Sequence, residues 1–246
     1  MHSLKAALAQ HTAPARIFFR NDDVDQDEAP LRRLLRLFLE RNTPVNLGVI
    51  PGRLTAACAG LLARSACAAP ELLELNQHGW RHDNYEREGR KCEFGASRTY
   101  AEQLADITQG QARMNEAFGP NWFPVFIPPW NRCTEETRRA IDHLGFRALS
   151  AKQGNSVATG YRFEEISITL DLYRWSGGVR LKAPEEVVGE LIAQLSRQQT
   201  IGVVLHHKVM DEQAFLFLSS LLDALAAHPA VSFHTFQSLL RRNYGL

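Results

Sequence analysis

Three groups in this chain combine chemically versatile residues at close spacing: Asp22-Asp23, His78-Gly79-Trp80-Arg81-His82 and His206-His207. Two histidines four positions apart can turn both imidazoles toward one point from a single helical turn or tight loop. A carboxylate from the aspartate pair would complete a set of three N/O ligands. Three such ligands leave coordination positions open for water and substrate, as a catalytic zinc requires. The chemistry expected is metal-assisted hydrolysis of an amide or ester bond. A His-x3-His pair alone is common in structural and surface settings, so the argument depends on where the groups fall in the fold.

Apolar runs at 16–19, 45–50, 72–75, 122–127, 146–150, 166–170, 201–205 and 231–234 read as strands. Helical spacing lies between most of them. Leu31, Leu34, Leu35 and Phe38 mark a helix over 30–40, and others are expected over 54–66, 98–118, 134–144, 184–199, 211–226 and 236–242. Thr134 is a plausible N-cap, Pro184 opens a helix, and Gly119-Pro120 ends one. Residues 83–97 are polar and aperiodic and read as a loop, and the acidic run 25–28 reads as a solvated helix N-terminus. Strands alternating with helices predict a mainly parallel sheet covered by helices. Seven or eight strands favour a barrel, with a flat doubly wound sheet as the alternative. Asp22-Asp23, His78/His82, Pro128-Pro129-Trp130-Asn131, Asp171/Arg174/Trp175 and His206-His207 each lie just past a strand's C-terminal end. In a βα barrel those ends converge on one face, where active sites are built.

Bulk properties narrow the function classes. A length of 246 residues, 45% hydrophobic and 22% charged, fits one α/β domain spanning 1–246. The net charge is +1 with Lys and Arg spread along the chain, which gives no reason to expect a nucleic-acid partner. No stretch approaches the ~18 apolar residues of a membrane span. The N-terminal residues lack the apolar core of a secretory leader, so a cytoplasmic location is expected. Cys58, Cys67, Cys92 and Cys133 show no CxxC spacing and are expected to be reduced thiols. The oligomeric state is left open.

Taken together, these groups resemble the polysaccharide deacetylases. These are the metal-dependent carbohydrate esterases of family 4, with chitin, chitooligosaccharide and peptidoglycan deacetylases among them. The resemblance runs from Phe18 to Phe236 and rests on five motifs in order. Arg20-Asn21-Asp22-Asp23-Val24 is similar to the family's double aspartate, and His78-Gly79-Trp80-Arg81-His82 to its two-histidine motif. Phe126-Ile127-Pro128-Pro129-Trp130-Asn131 is similar to the proline-rich motif and Asp171-Leu172-Tyr173-Arg174-Trp175 to the aspartate-tryptophan motif. Val204-Leu205-His206-His207 is similar to the final Leu-x-His motif.

The resemblance implies a distorted (β/α)7 barrel. It also implies a divalent metal, zinc first with cobalt or nickel as alternatives, held by Asp23, His78 and His82. Asp22 becomes the general base and His206 the acid that protonates the leaving amine. His207 is the candidate if the motif slips by one. Trp130, Asn131 and Trp175 are expected at the substrate. That substrate would be an amino sugar, a glycan or glycan precursor, or a small N-acyl compound losing acetyl or another acyl group.

Three positions depart from the family pattern. Val24 replaces a glycine, Ile127 replaces the arginine before the two prolines, and Arg174 replaces the aspartate before the tryptophan. An arginine beside the catalytic aspartate favours its charged form and orients it. Arg20 and Asp22 share one side of an extended strand, so Arg20, or else Arg174, is expected in that role, with Asp171 as a further support residue. Two other functions fit the same residues: a 2-His-1-carboxylate iron enzyme, and a non-catalytic carbohydrate-binding module. Metal analysis with an oxygen-consumption assay separates the first from a hydrolase, and acetate release separates the second.

Overall fold

The structure is a computed structural model that describes residues 2–10, 13–152 and 160–243. Its strands are β1 Ala15–Val24, β2 Val45–Val49, β3 Leu73–His78, β4 Val125–Ile127, β5 Ala148–Leu149, β6 Glu164–Glu165, β7 Leu170–Asp171, β8 Tyr173–Arg174, β9 Arg180–Leu181, β10 Thr200–Leu205 and β11 Val231–Phe233. Its helices are α1 His2–Gln10, α2 Ala29–Glu40, α3 Ala56–Ala68, α4 Tyr100–Phe118, α5 Glu135–His143, α6 Pro184–Leu195, α7 Glu212–Ala226 and α8 Phe236–Asn243.

The main sheet is parallel, in the order β6-β5-β4-β3-β2-β1-β10-β7, and β11 pairs with the start of β1. Segment 164–171 curls this sheet into a barrel. Its first part hydrogen-bonds to β5 and the residues around it, through Glu164 N to Arg147 O, Ile166 N to Leu149 O and Ile168 N to Ala151 O. Its second part bonds to β10, through Thr169 N to Gly202 O and the Leu170–Val203 register. One run of chain therefore touches both ends of the sheet. Counting it as one strand, β1, β2, β3, β4, β5, 164–171 and β10 make the distorted seven-stranded barrel. The single strand expected at 166–170 is split at this switch of partners. The small β8–β9 hairpin is antiparallel and stands apart from the sheet.

Local sequence explains how the outer layer forms. In α2 the spacing of Leu31, Leu34, Leu35 and Phe38 gives one apolar stripe, and all four are buried. Helix α4 starts at a Thr99–Glu102 capping box and ends at Gly119, whose φ of 54° is a left-handed conformation that glycine adopts freely. Helix α1 forms on a stretch that mixes small, polar and charged residues and carries little helical signal. It is anchored through the buried Leu4 and Leu8. The outer core packs these helices on Ile17, Phe19, Leu47 and Leu75. Alternation sends Phe18, Ile127 and Val204 to the other side, where they pack inside the barrel with Phe236, Leu239 and Leu240 of α8. Asn46 Oδ1 and Glu74 Oε2 accept from the first two N–H groups of α8, fixing that helix over the bottom of the barrel. No helix among the described residues is long and apolar enough to cross a membrane.

Candidate metal centre and catalytic face

Strand β1 builds one wall of the site. Phe18, Arg20 and Asp22 follow each other at intervals of two, so all three point into the barrel. Arg20 is completely buried and Asp22 is 2% exposed. The guanidinium grips Asp22 with two bonds of 2.8 Å, from Nε to Oδ1 and from Nη2 to Oδ2. Its remaining N–H groups donate to Ser150 O at 2.9 Å, Ser150 Oγ at 3.0 Å and Asn131 Oδ1 at 2.6 Å. Simple alternation would send Asp23 to the opposite face from Asp22. A register shift between Asn21 and Val24, with Asp23 at φ 66°, turns Asp23 to the mouth as well. Gly48 of β2 leaves room for the pair, since a Cβ there would lie 3.1 Å from Asp22 Oδ1.

Asp23 Oδ1 lies 3.2 Å from His78 Nε2 and 3.2 Å from His82 Nε2. All three donor atoms fall within 4.8 Å of one another. A metal about 2.0–2.2 Å from each donor sets them roughly 3–3.5 Å apart, so the set fits a divalent ion with N/O preference. His78 Nδ1 lies 3.1 Å from Ile127 O, a contact that fixes the ring and turns Nε2 toward Asp23. Burial pushes the Asp23 carboxyl up, but the hydrogen bond and charge of His78 carry it well below the usual carboxylate range. Burial also works against a charged His78, yet the nearby Asp22 and Asp23 raise its pKa. His82 is lowered to about 4 by burial, then by the charge of His78. A carboxylate that holds a positive charge between two imidazoles is an arrangement a metal ion can take over.

The loop carrying His82 is held by Glu93, which lies in the polar stretch read from sequence only as loop. Glu93 Oε1 accepts from the N–H of Arg81 at 2.7 Å and of His82 at 3.0 Å, and Oε2 accepts from Trp80 N at 3.2 Å. The loop turns at Gly79, φ 59°, where a Cβ would come within 2.2 Å of Glu93 Oε2 and 2.6 Å of Pro129 Cγ. Only glycine fits there. Burial raises the Glu93 carboxyl, and the amide hydrogen bonds from Arg81 and Trp80 draw it back. Glu93→Gln would set an NH2 group against backbone donors and loosen His82. Its zinc Kd is expected to rise about 10–100-fold, measured by competition with a chromophoric chelator.

His206 and His207 follow β10 and point in different directions. His207 is fully buried. Its Nδ1 pairs with Asn21 Nδ2 at 3.0 Å and its N–H donates to Asn21 Oδ1 at 3.0 Å. His206 lies at the mouth, close enough for its charge to act on Asp23. Its ring meets Trp175 edge-on with centroids 4.6 Å apart. Trp175 Nε1 donates to Asp171 Oδ2 at 2.8 Å, and Asp171 Oδ1 accepts from Tyr173 N. Asp171 thus buttresses the tryptophan rather than the histidine. Arg174 is half-exposed and bound to Glu186 at 2.7 Å, on the outer side of its hairpin. Of the two arginines considered for Asp22, the structure brings Arg20 to it and puts Arg174 in this outer pair. Trp130 and Asn131, at φ 55° and 58°, form the opposite wall, with the Trp130 ring 4.3 Å from that of His82. The acidic run 25–28 is not fully solvated: Asp25 is buried and paired with Lys208.

His207 predicts a pH effect on stability. Burial, then the charge of Lys208, lowers it from 6.5 to about 4. Below pH 6.5 the unfolded chain takes up a proton that the folded chain refuses, so stability falls as pH drops from 6.5 toward 4, by roughly 3 kcal/mol. Glu74, pushed up to about 7 by burial, has the opposite sign between 4.5 and 7. The His207 share is therefore read as the difference between wild type and His207→Gln in denaturant unfolding across this range.

No family model matches the chain, and no curated protein matches it in sequence. Solved structures do. A protein from Mycobacterium smegmatis assigned as a polysaccharide deacetylase superposes with a TM-score of 0.75 at 17% identity, covering 96% of this chain and 95% of its own. A family 4 acetyl xylan esterase from Clostridium thermocellum, solved with cobalt, gives 0.60 at 15% identity over 94% and 92%. A family 4 pseudoenzyme from Bacillus anthracis gives 0.60 at 12% identity over 94% of this chain and 66% of its own. At such identities the likeness defines the fold: the chain has the distorted (β/α)7 barrel of the family 4 carbohydrate esterases.

Proposed function

We propose that this chain is a divergent polysaccharide deacetylase that hydrolyses the N-acyl group of an amino sugar, glycan or glycan precursor. The observation that carries this is the buried Asp22 carboxylate, gripped on both oxygens by Arg20. Its neighbour Asp23 shares a three-donor centre with His78 and His82. A structural carboxylate would not need a site that opens on such a centre.

Asp23, His78 and His82 would hold the metal, with zinc the first choice. When bound, the ion supplies Lewis-acid activation of water and of the acyl carbonyl. Asp22 takes the proton from the attacking water. Arg20 keeps it charged and aimed, the role that an arginine before Pro128 would otherwise fill. The N–H groups of Asn131 and Arg132 are engaged by Pro128 O and Pro129 O, so the Trp130 N–H is the backbone donor assigned to the developing oxyanion. His206 passes a proton to the leaving nitrogen, and contact with Trp175 sets the plane of its ring. His207, locked to Asn21 on the outer side of the sheet, is a packing residue.

The intact Arg20–Asp22 pair weighs against a non-catalytic module. The test is a screen for carboxylate release from N-acetylated sugars and small N-acyl compounds with zinc, cobalt and nickel. Release with at least one substrate, absent after chelation, is expected. Binding of sugars with no release from any of them would support the module instead.

A further inference from the structure

We infer that the β8–β9 hairpin is an apolar wall that binds an acyl chain longer than acetyl, an assignment that rests on the deacylase function proposed above. The register of the hairpin, Tyr173 with Leu181 and Arg174 with Arg180, sets Trp175 opposite Val179. In a hairpin such partners share a face, and positions two apart along a strand share it too. Tyr173, Trp175, Val179 and Leu181 therefore form one strip. At its base Tyr173 is buried and Leu181 packs on the core. At its tip Trp175 is 45% and Val179 51% exposed. The other face carries Arg174 and Arg180, both exposed.

Five large apolar side chains stand out as exposed among the described residues: Tyr85, Trp175, Val179, Val209 and Leu216. Two of these, Trp175 and Val179, sit side by side at the tip of this strip. Scattered exposed apolar residues need no explanation, but a cluster beside a reacting centre does. The strip is continuous with that centre through the Trp175–His206 ring contact. It also offers a substrate almost no polar group, since the Trp175 N–H is engaged by Asp171 and the Tyr173 hydroxyl by Val209. A sugar needs hydrogen-bonding partners, and Asn131, on the opposite wall, is a polar side chain of that kind. The part of an N-acyl substrate with no such need is the hydrocarbon of its acyl group.

The test uses the zinc-loaded full chain and straight-chain carboxylates from acetate to hexanoate, the products of deacylation, with binding read by calorimetry. Affinity is expected to rise about fourfold per methylene, the equivalent of ~0.8 kcal/mol per buried CH2. Val179→Ser is expected to weaken hexanoate by about fivefold, and acetate by less. A kinetic arm compares N-acetyl- and N-hexanoylglucosamine with the hexyl glycoside of N-acetylglucosamine. Equal affinity across the series, or a gain that Val179→Ser leaves intact, would overturn the inference. A gain confined to the hexyl glycoside would assign the wall to the other end of the substrate and overturn it as well. Graded binding without hydrolysis of any N-acyl sugar would keep the wall and sink the deacylase function. Hydrolysis of the acetyl sugar without grading would do the reverse.

Discussion

Asp22→Asn is expected to lower kcat by about 10²–10⁴-fold while the protein still binds one metal ion. The asparagine keeps the shape of the aspartate and one acceptor for Arg20, but it cannot take a proton from water. The three donor atoms of the metal centre belong to Asp23, His78 and His82, so the substitution leaves them in place. The check is kcat at saturating substrate alongside elemental analysis of the same preparation. A variant within about threefold of wild type would remove Asp22 from the chemistry, because general-base catalysis is worth far more than that. Loss of metal together with activity would instead make Asp22 part of the metal centre, and the separate roles of the two aspartates would fail.

Arg20→Met is expected to cost about 3–5 kcal/mol of stability and most of the activity, a larger structural effect than any other single change at the site. Methionine fills the space of the side chain's stem. It leaves Asp22, 2% exposed, with no cation, and deprives Ser150 and Asn131 of their donor. An uncompensated buried carboxylate is costly because neither water nor a partner stabilises its charge. Arg20→Lys should fall between the two, since an ammonium keeps the charge but cannot reproduce the two-pronged grip. Denaturant unfolding and kcat, measured on both variants, test this. Stability of the Met variant within about 1 kcal/mol of wild type would mean that the pair does not carry its buried charge.

Much of this site could be read from the chain because chemically versatile residues fall at the ends of legible apolar runs. Asp22, Asp23, His78, His82, Trp130 and His206 each sit at the end of a strand whose apolar run is legible, and the topology then brings them to one face. The relation of Arg20 to Asp22 followed from a period of two. The parts that were not legible depend on contacts between distant segments. Period-two alternation separates Asp22 from Asp23, and only the irregularity of β1, with Asp23 at φ 66°, reunites them. Glu93 supports the loop carrying His82 from a stretch with no periodicity, and its local signal is its place between the apolar Cys92 and Phe94. Ser150 and Asn21 look like ordinary polar residues until the barrel closes around them. The different surroundings of His206 and His207 depend on Asn21, 186 positions away from His207 in sequence. The strand at 166–170 was legible as apolar, but its change of partner midway is a property of the closed barrel.

In the proposed function a metal held by Asp23, His78 and His82 drives hydrolysis of an N-acyl bond. The measurement that tests it most directly is carboxylate release by the protein after its metal is stripped and then returned in known amounts. Release is expected to vanish on stripping and to return in proportion to added zinc, saturating at one equivalent in wild type and not returning in His78→Ala. Release that persists in the stripped protein, or that His78→Ala recovers as fully as wild type, would contradict it.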